Sequence, residues 1–145
     1  MLLTDRPRYP IHDLFIRPLD QRRSGGLTRL RLVSESDQLL RRFGQAELIR
    51  LSAGETFGPG LQDVADEIWV LESGQAQLFW RDERRSSPTY GCEHRLQAEA
   101  PLLFFVPFGV SFGLRCGPDC LLVRFTTHEP PTGGAEGSPP WPEAW

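Results

Sequence analysis

Apolar side chains recur at every second position in short runs along most of this chain, and glycine, proline and charged residues separate the runs. A two-residue period belongs to half-buried strands, whose side chains point alternately to opposite faces. It predicts strands over 14–16, 28–34, 45–52, 102–106, 111–116 and 120–126, the last two joined by the turn Gly117-Pro118-Asp119. Residues 67–72 and 75–80, rich in aromatic and β-branched side chains around Ser73-Gly74, predict a β-hairpin. Residues 35–43 read as a short helix or turn and 81–88 as a charged loop. Short strands at regular spacing, with little helical period, predict an antiparallel sandwich or barrel. Three stretches follow: an arm over 1–26, a β-barrel body over 27–128 and a Pro/Gly-rich tail over 129–145, expected to be disordered or to lie on a partner surface.

With 145 residues, the chain has room for one domain with a real core. A formal charge of −3 argues against a general nucleic-acid or membrane-surface binder, which needs a basic patch. All 16 basic residues are Arg, which excludes Schiff-base chemistry and a catalytic ammonium. Residues 1–8 are charged and broken by proline, unlike a secretory signal. No apolar run approaches the ~20 residues of a spanning helix. The expectation is a cytoplasmic protein whose 3 cysteines are thiols.

Two motifs carry a resemblance. Glu67-x6-Gly74 and Pro107-x-Gly109-x-x-Phe112 are similar to the two motifs of the cupin superfamily, in which three histidines and a glutamate surround a metal inside a small β-barrel. The run from Arg81 to Gly91, with its Ser87-Pro88-Thr89-Tyr90, resembles the Asp-x-Arg-x-x-Ser-Pro-Thr-aromatic-Gly segment of the dTDP-4-dehydrorhamnose 3,5-epimerases. Their relatives, the sugar-nucleotide ketoisomerase-like proteins, share that architecture. The order of the following segments also matches, and so, more loosely, does the arm from Leu14 to Gly26, giving a resemblance over Ile11 to His128. It implies an all-β, cupin-type jelly-roll (double-stranded β-helix) barrel and a homodimer formed by exchange of N-terminal strands.

The residues that the family's chemistry needs are missing. Its base lies in an Arg-Gly-x-His segment, matched here by Pro59-Gly60-Leu61-Gln62, and Gln62 is an amide that cannot take the proton. Of the four metal ligands only Glu67 remains, so neither metal nor cofactor is expected. Cys92, His94, Cys116 and Cys120 are a separate soft set, but their spacing is not that of a zinc knuckle, and free thiols are the plainer reading. Glu67 shares a strand face with Trp69 and Leu71. Such a carboxyl is either a base with a raised pKa or a group at the barrel mouth, solvated or paired with an arginine such as Arg115. A pocket is expected from Gln62, Asp63, Trp69, Gln77, Tyr90, Phe112 and Arg115, with Tyr90 either stacking on a ring or anchoring its loop. His94 and His128 are the remaining possible bases.

The function expected is that of a metal-free cupin related to the sugar-nucleotide epimerases, binding a small sugar-like ligand such as a nucleotide sugar without histidine-based chemistry. The alternatives are an active epimerase or ketoisomerase on a 4-keto-6-deoxy nucleotide sugar, with Glu67 or a histidine as base, and an interaction scaffold acting through the tail.

Overall fold

The structure, a computed structural model, describes residues 10–129; the expected tail beyond Glu129 and the first nine residues of the arm lie outside it. The chain order is β1 (Phe15–Pro18), β2 (Gln21–Ser24), β3 (Leu27–Leu30), a 3-10 turn (Glu35–Asp37), β4 (Gln45–Leu51), β5 (Thr56–Gly60), β6 (Glu67–Ser73), β7 (Gln75–Asp82), β8 (Glu93–Glu99), β9 (Leu102–Val106), β10 (Val110–Cys116) and β11 (Cys120–Thr126). A five-stranded sheet runs β1-β9-β6-β11-β4, a four-stranded sheet runs β5-β10-β7-β8, and β2-β3 form a separate ribbon. All neighbours are antiparallel. The two large sheets share no ladder, so the jelly roll is a two-sheet sandwich and not one closed ring. Among the described residues no helix is long and apolar enough to cross a membrane.

The hairpin expected at Ser73-Gly74 is corrected. β6 pairs with β9 and β11, whereas β7 pairs with β8 and β10, so the tight turn passes the chain from one sheet to the other. Gly74 permits this at φ +94, because a Cβ there would lie 2.5 Å from the Asp119 carbonyl oxygen. Residues 31–34 leave the strand ladder, and β2, β5 and β8 are strands where none was expected.

Alternation puts Trp69, Leu71, Leu78, Trp80, Phe104, Phe112, Leu114 and Leu122 between the two sheets. The opposite face of the five-stranded sheet buries Phe15, Ile68, Val70, Leu103 and Phe105 beneath Leu39 and the chain following the ribbon. β6 and β9 are therefore apolar on both faces, as strands covered from both sides must be. β4 is an edge strand, and it alternates half-buried with exposed.

Candidate functional site

Glu67 opens β6 two positions before Trp69, so strand parity turns it to the inner face, where it is 6% exposed. On β11 the same parity turns Arg124 inward after Leu122, and Arg124 sits beside Trp69 in the ladder. Glu47 on β4 is Arg124's partner on the other side. Three adjacent strands thus bring an acid, a base and an acid to one end of the sandwich. Arg124 donates from Nε to the Glu67 carboxylate and from Nη1 to Glu47 Oε1 at 3.0 Å. Its guanidinium also lies over the Trp69 ring, 5.4 Å from the centroid, and 6.0 Å from that of Phe57. Burial pushes the Glu67 carboxyl above its ordinary range, and the charge and hydrogen bond of Arg124 draw it only part of the way back.

Beyond this triad the interior is aromatic. Phe112 stands on β10 where the second motif has its histidine, and it packs against Trp69 at 5.2 Å, Trp80 at 5.7 Å and Phe104 at 5.1 Å between ring centroids. Phe104 stacks on Trp69 and meets Trp80 edge-on. His94 lies against Trp80 at 5.5 Å, and burial lowers its pKa. Arg124 over Trp69 and His94 over Trp80 are therefore on different members of one cluster, with Phe104 and Phe112 touching both indoles. The rings of Trp69, Trp80, Phe104 and Phe112 therefore form one contiguous packed cluster on the inner face.

No family model matches the chain. The chain is 30% identical over 100 residues to a spore coat polysaccharide biosynthesis protein of Bacillus subtilis strain 168, a match covering 66% of each, so it spans just under two thirds of that relative's length. A dTDP sugar isomerase from Desulfovibrio desulfuricans G20 superposes with a TM-score of 0.80 at 18% identity, over 90% of this chain and 86% of that one. An epimerase from Legionella pneumophila Philadelphia 1, solved with dTDP-4-keto-L-rhamnose, gives a TM-score of 0.75 at 17% identity, over 83% and 70%. The chain has the jelly-roll fold of these proteins.

In this fold the expected pocket does not assemble as a unit. Glu67, Trp69 and Phe112 do face the interior. Gln77 and Arg115 do not: they sit opposite one another on β7 and β10, out of phase with the inward Leu78 and Leu114, and so occupy the outer face of the four-stranded sheet. The ion pair weighed between Glu67 and Arg115 is accordingly made by Arg124 instead. Asp63 is exposed in the loop before β6, and Tyr90 is 54% exposed on the loop after β7. Gln62 is half-buried near the triad's end, its carbonyl accepting from Gly109 N–H at 2.7 Å. Of the soft set, Cys116 and Cys120 meet at the opposite end, both thiols donating to the Pro118 carbonyl, while Cys92 is exposed.

Asp82, expected in a charged loop, ends β7 on the inner face and is fully buried. Its carboxylate accepts from Arg84 N–H, Nε and Nη2, from Ser87 Oγ at 2.6 Å and from Thr89 Oγ1 at 2.6 Å. Burial opposes its charge, and those donors outweigh burial, so its pKa lies well below the ordinary carboxylate range. The Asp-x-Arg-x-x-Ser-Pro-Thr run is thus a loop wound around one carboxylate. Arg84 and Thr89 also bond the backbone of His12, which fastens the start of the arm to the same loop. A parity count from Leu78 through Trp80 to Asp82 was the available signal.

Proposed function

We propose that this chain is a sugar-nucleotide-binding cupin that no longer performs epimerase chemistry. One observation carries the reading: the inward acid of β6 is held by Arg124, and the neighbouring inward positions are aromatic. A base for carbon acid chemistry must reach its substrate and accept a proton, and a buried carboxylate already engaged by a guanidinium does neither. Relatives of this fold have been solved with dTDP and dTDP sugars, which supports a nucleotide sugar as the class of ligand. The mouth offers it half-buried Glu47, Phe57 and Gln62 beside Arg124. The reading includes a soluble protein that pairs with a second copy through its arm, which sedimentation equilibrium would test.

Thermal unfolding with and without millimolar dTDP and UDP tests the binding claim. A ligand at a hundred times its dissociation constant stabilises the fold by about 2.7 kcal/mol, a shift of several degrees. No shift with either nucleotide would overturn the nucleotide-sugar reading.

A further inference from the structure

The outer face of the four-stranded sheet lies on the side of the sandwich away from β1 and differs in chemistry from the apolar interior. Phe79 is at its centre, out of phase with the inward Leu78 and Trp80 and set between Gly113 on β10 and Arg95 on β8. The guanidiniums of Arg81 and Arg95 lie over the Phe79 ring, 5.8 and 5.6 Å from its centroid. Gly113 brings no side chain to the position beside the ring. Gln77 is flanked by Arg115 on β10 and by Gln97 on β8. Glu93 bonds Arg81 and lies 3.7 Å from Arg95, while Glu99 accepts from Gln75. Phe79, Ser111 and Gly113 are buried, whereas Glu93, Arg95, Gln97 and Glu99 along β8 are exposed. The face is therefore an aromatic centre ringed by guanidiniums and amides.

The chain contains a segment of matching chemistry. Glu129, Glu136 and Glu143 are the charged residues of the tail; of 19 acidic residues, the 16 that remain equal the 16 arginines, so the formal charge of −3 resides in the tail. Trp141 and Trp145 are there as well, whereas the other two tryptophans, Trp69 and Trp80, are fully buried in the core. Trp141 stands between Pro140 and Pro142. Proline-rich chain favours the polyproline conformation, which has no internal hydrogen bonds and docks on surfaces that offer aromatic rings. Guanidiniums stack on indoles and pair with carboxylates, and glutamine amides donate to unbonded carbonyls. The distance is also within reach. β11 ends beside β4, and residues 52–55 lead β4 directly into β5, the edge of the four-stranded sheet. From β11 to the outer face of β7 the path crosses one gap between sheets of ~10 Å and two strand spacings of ~5 Å. Chain from Glu129 to Trp141 spans up to about 40 Å at ~3.3 Å per residue.

We propose that the segment 139–145 docks on this outer face of its own chain, its tryptophans against Phe79, Gly113 and the guanidiniums of Arg81 and Arg95, its glutamate toward the arginines. The docking is independent of the nucleotide-sugar reading. It is also compatible with pairing through the arm, because β1 belongs to the other sheet.

Amide NMR of the full, isotope-labelled chain tests it. Trp141→Ala/Trp145→Ala leaves both core tryptophans in place, and it should shift the amide signals of Phe79, Arg95 and Gly113 while leaving those of the β2-β3 ribbon unchanged. Acrylamide quenching gives a second readout, because Trp69 and Trp80 are 0% exposed and the quenchable emission belongs to the tail. Arg95→Glu, a charge reversal at an exposed position, should raise that quenching. Arg50→Glu, the same reversal at an exposed position of β4, should leave it unchanged. The proposal is overturned if the tryptophan variant leaves Phe79 and Gly113 unshifted, or if the two reversals raise quenching equally. It also falls if the shifts appear instead at Phe43, Val64 and Phe108, exposed apolar residues that would then be the tail's landing place. Mixing the labelled tryptophan variant with unlabelled, unchanged protein should not alter the variant's spectrum. Return of the original signals would put the tail on a neighbouring copy and overturn docking within one chain.

Discussion

Glu67 and Arg124 lie on the inner faces of adjacent strands, 6% and 8% exposed, so each is the other's main source of compensation. Removing one member of such a pair costs more than the pair contributes. Arg124→Met should destabilise the fold by about 3 kcal/mol at neutral pH, read from urea unfolding. The sign of its pH dependence follows from Glu67. A carboxyl raised above its ordinary 4.5 in the folded state favours folding when protonated, and that contribution is lost as pH rises through the folded value. Without Arg124 the rise is larger, so the variant's deficit should shrink as pH is lowered from 7 toward 5. The inward direction of Glu67 was legible from its parity with Trp69 and Leu71. Its partner was not, because the choice of β11 as neighbour is made across 57 residues and alternation does not encode it. Gln77 and Arg115 were misplaced for a related reason: β7 carries apolar side chains on both faces, so the residue pattern does not say which face is inner. The cysteines divide by environment. Burial, reinforced by Cys120, pushes Cys116 up to about 12, so a thiol reagent at pH 8 should label Cys92 and leave Cys116 and Cys120 until the protein unfolds.

Among the elements, the loop after β7 depends most on a single group. Asp82 collects donors from Arg84, Ser87 and Thr89, and Arg84 in turn packs under Gly109, where φ is +80 and a Cβ would collide with the Arg84 side chain. Asp82→Asn keeps the shape but removes the charge and presents an amide to donors. It should cost roughly 3 kcal/mol at pH 7, with Ser87→Ala nearer 1 kcal/mol. Because the folded pKa is depressed, Asp82's contribution is present above its ordinary 3.8 and is lost as pH falls below that toward the folded value. The gap between the parent and Asp82→Asn should therefore narrow only in strong acid, opposite in sense to the Arg124→Met series. The motif's residues were visible in the sequence, whereas their mutual bonding was not. β8 was legible in principle, with His94, Leu96 and Ala98 inward between polar neighbours, but only one of those three is strongly apolar. β5 was not legible, since Thr56-Phe57-Gly58-Pro59-Gly60 is built from residues that strands disfavour and is held by its pairing with β10.

For the whole molecule, the jelly roll was readable because most strands announce themselves by period and the turns by glycine and proline. Sheet membership was not, as the reassignment of β6 and β7 to different sheets shows. The loss of the motif histidines was legible, but the packing that replaced them appears only when Trp69, Trp80, Phe104 and Phe112 are seen in contact. Phe112→Ala should cost about 3–5 kcal/mol in unfolding free energy, the range for truncating a buried aromatic ring, if that cluster is a packed core. The central claim is that the fold is kept while the base is gone. It is tested most directly by incubating the protein with a dTDP-4-keto-6-deoxyhexose in deuterated buffer and following the protons on the carbons next to the ketone by NMR. The account predicts exchange no faster than in the protein-free control. Exchange that the protein accelerates, and that disappears in Glu67→Gln, would contradict it and make Glu67 a working base.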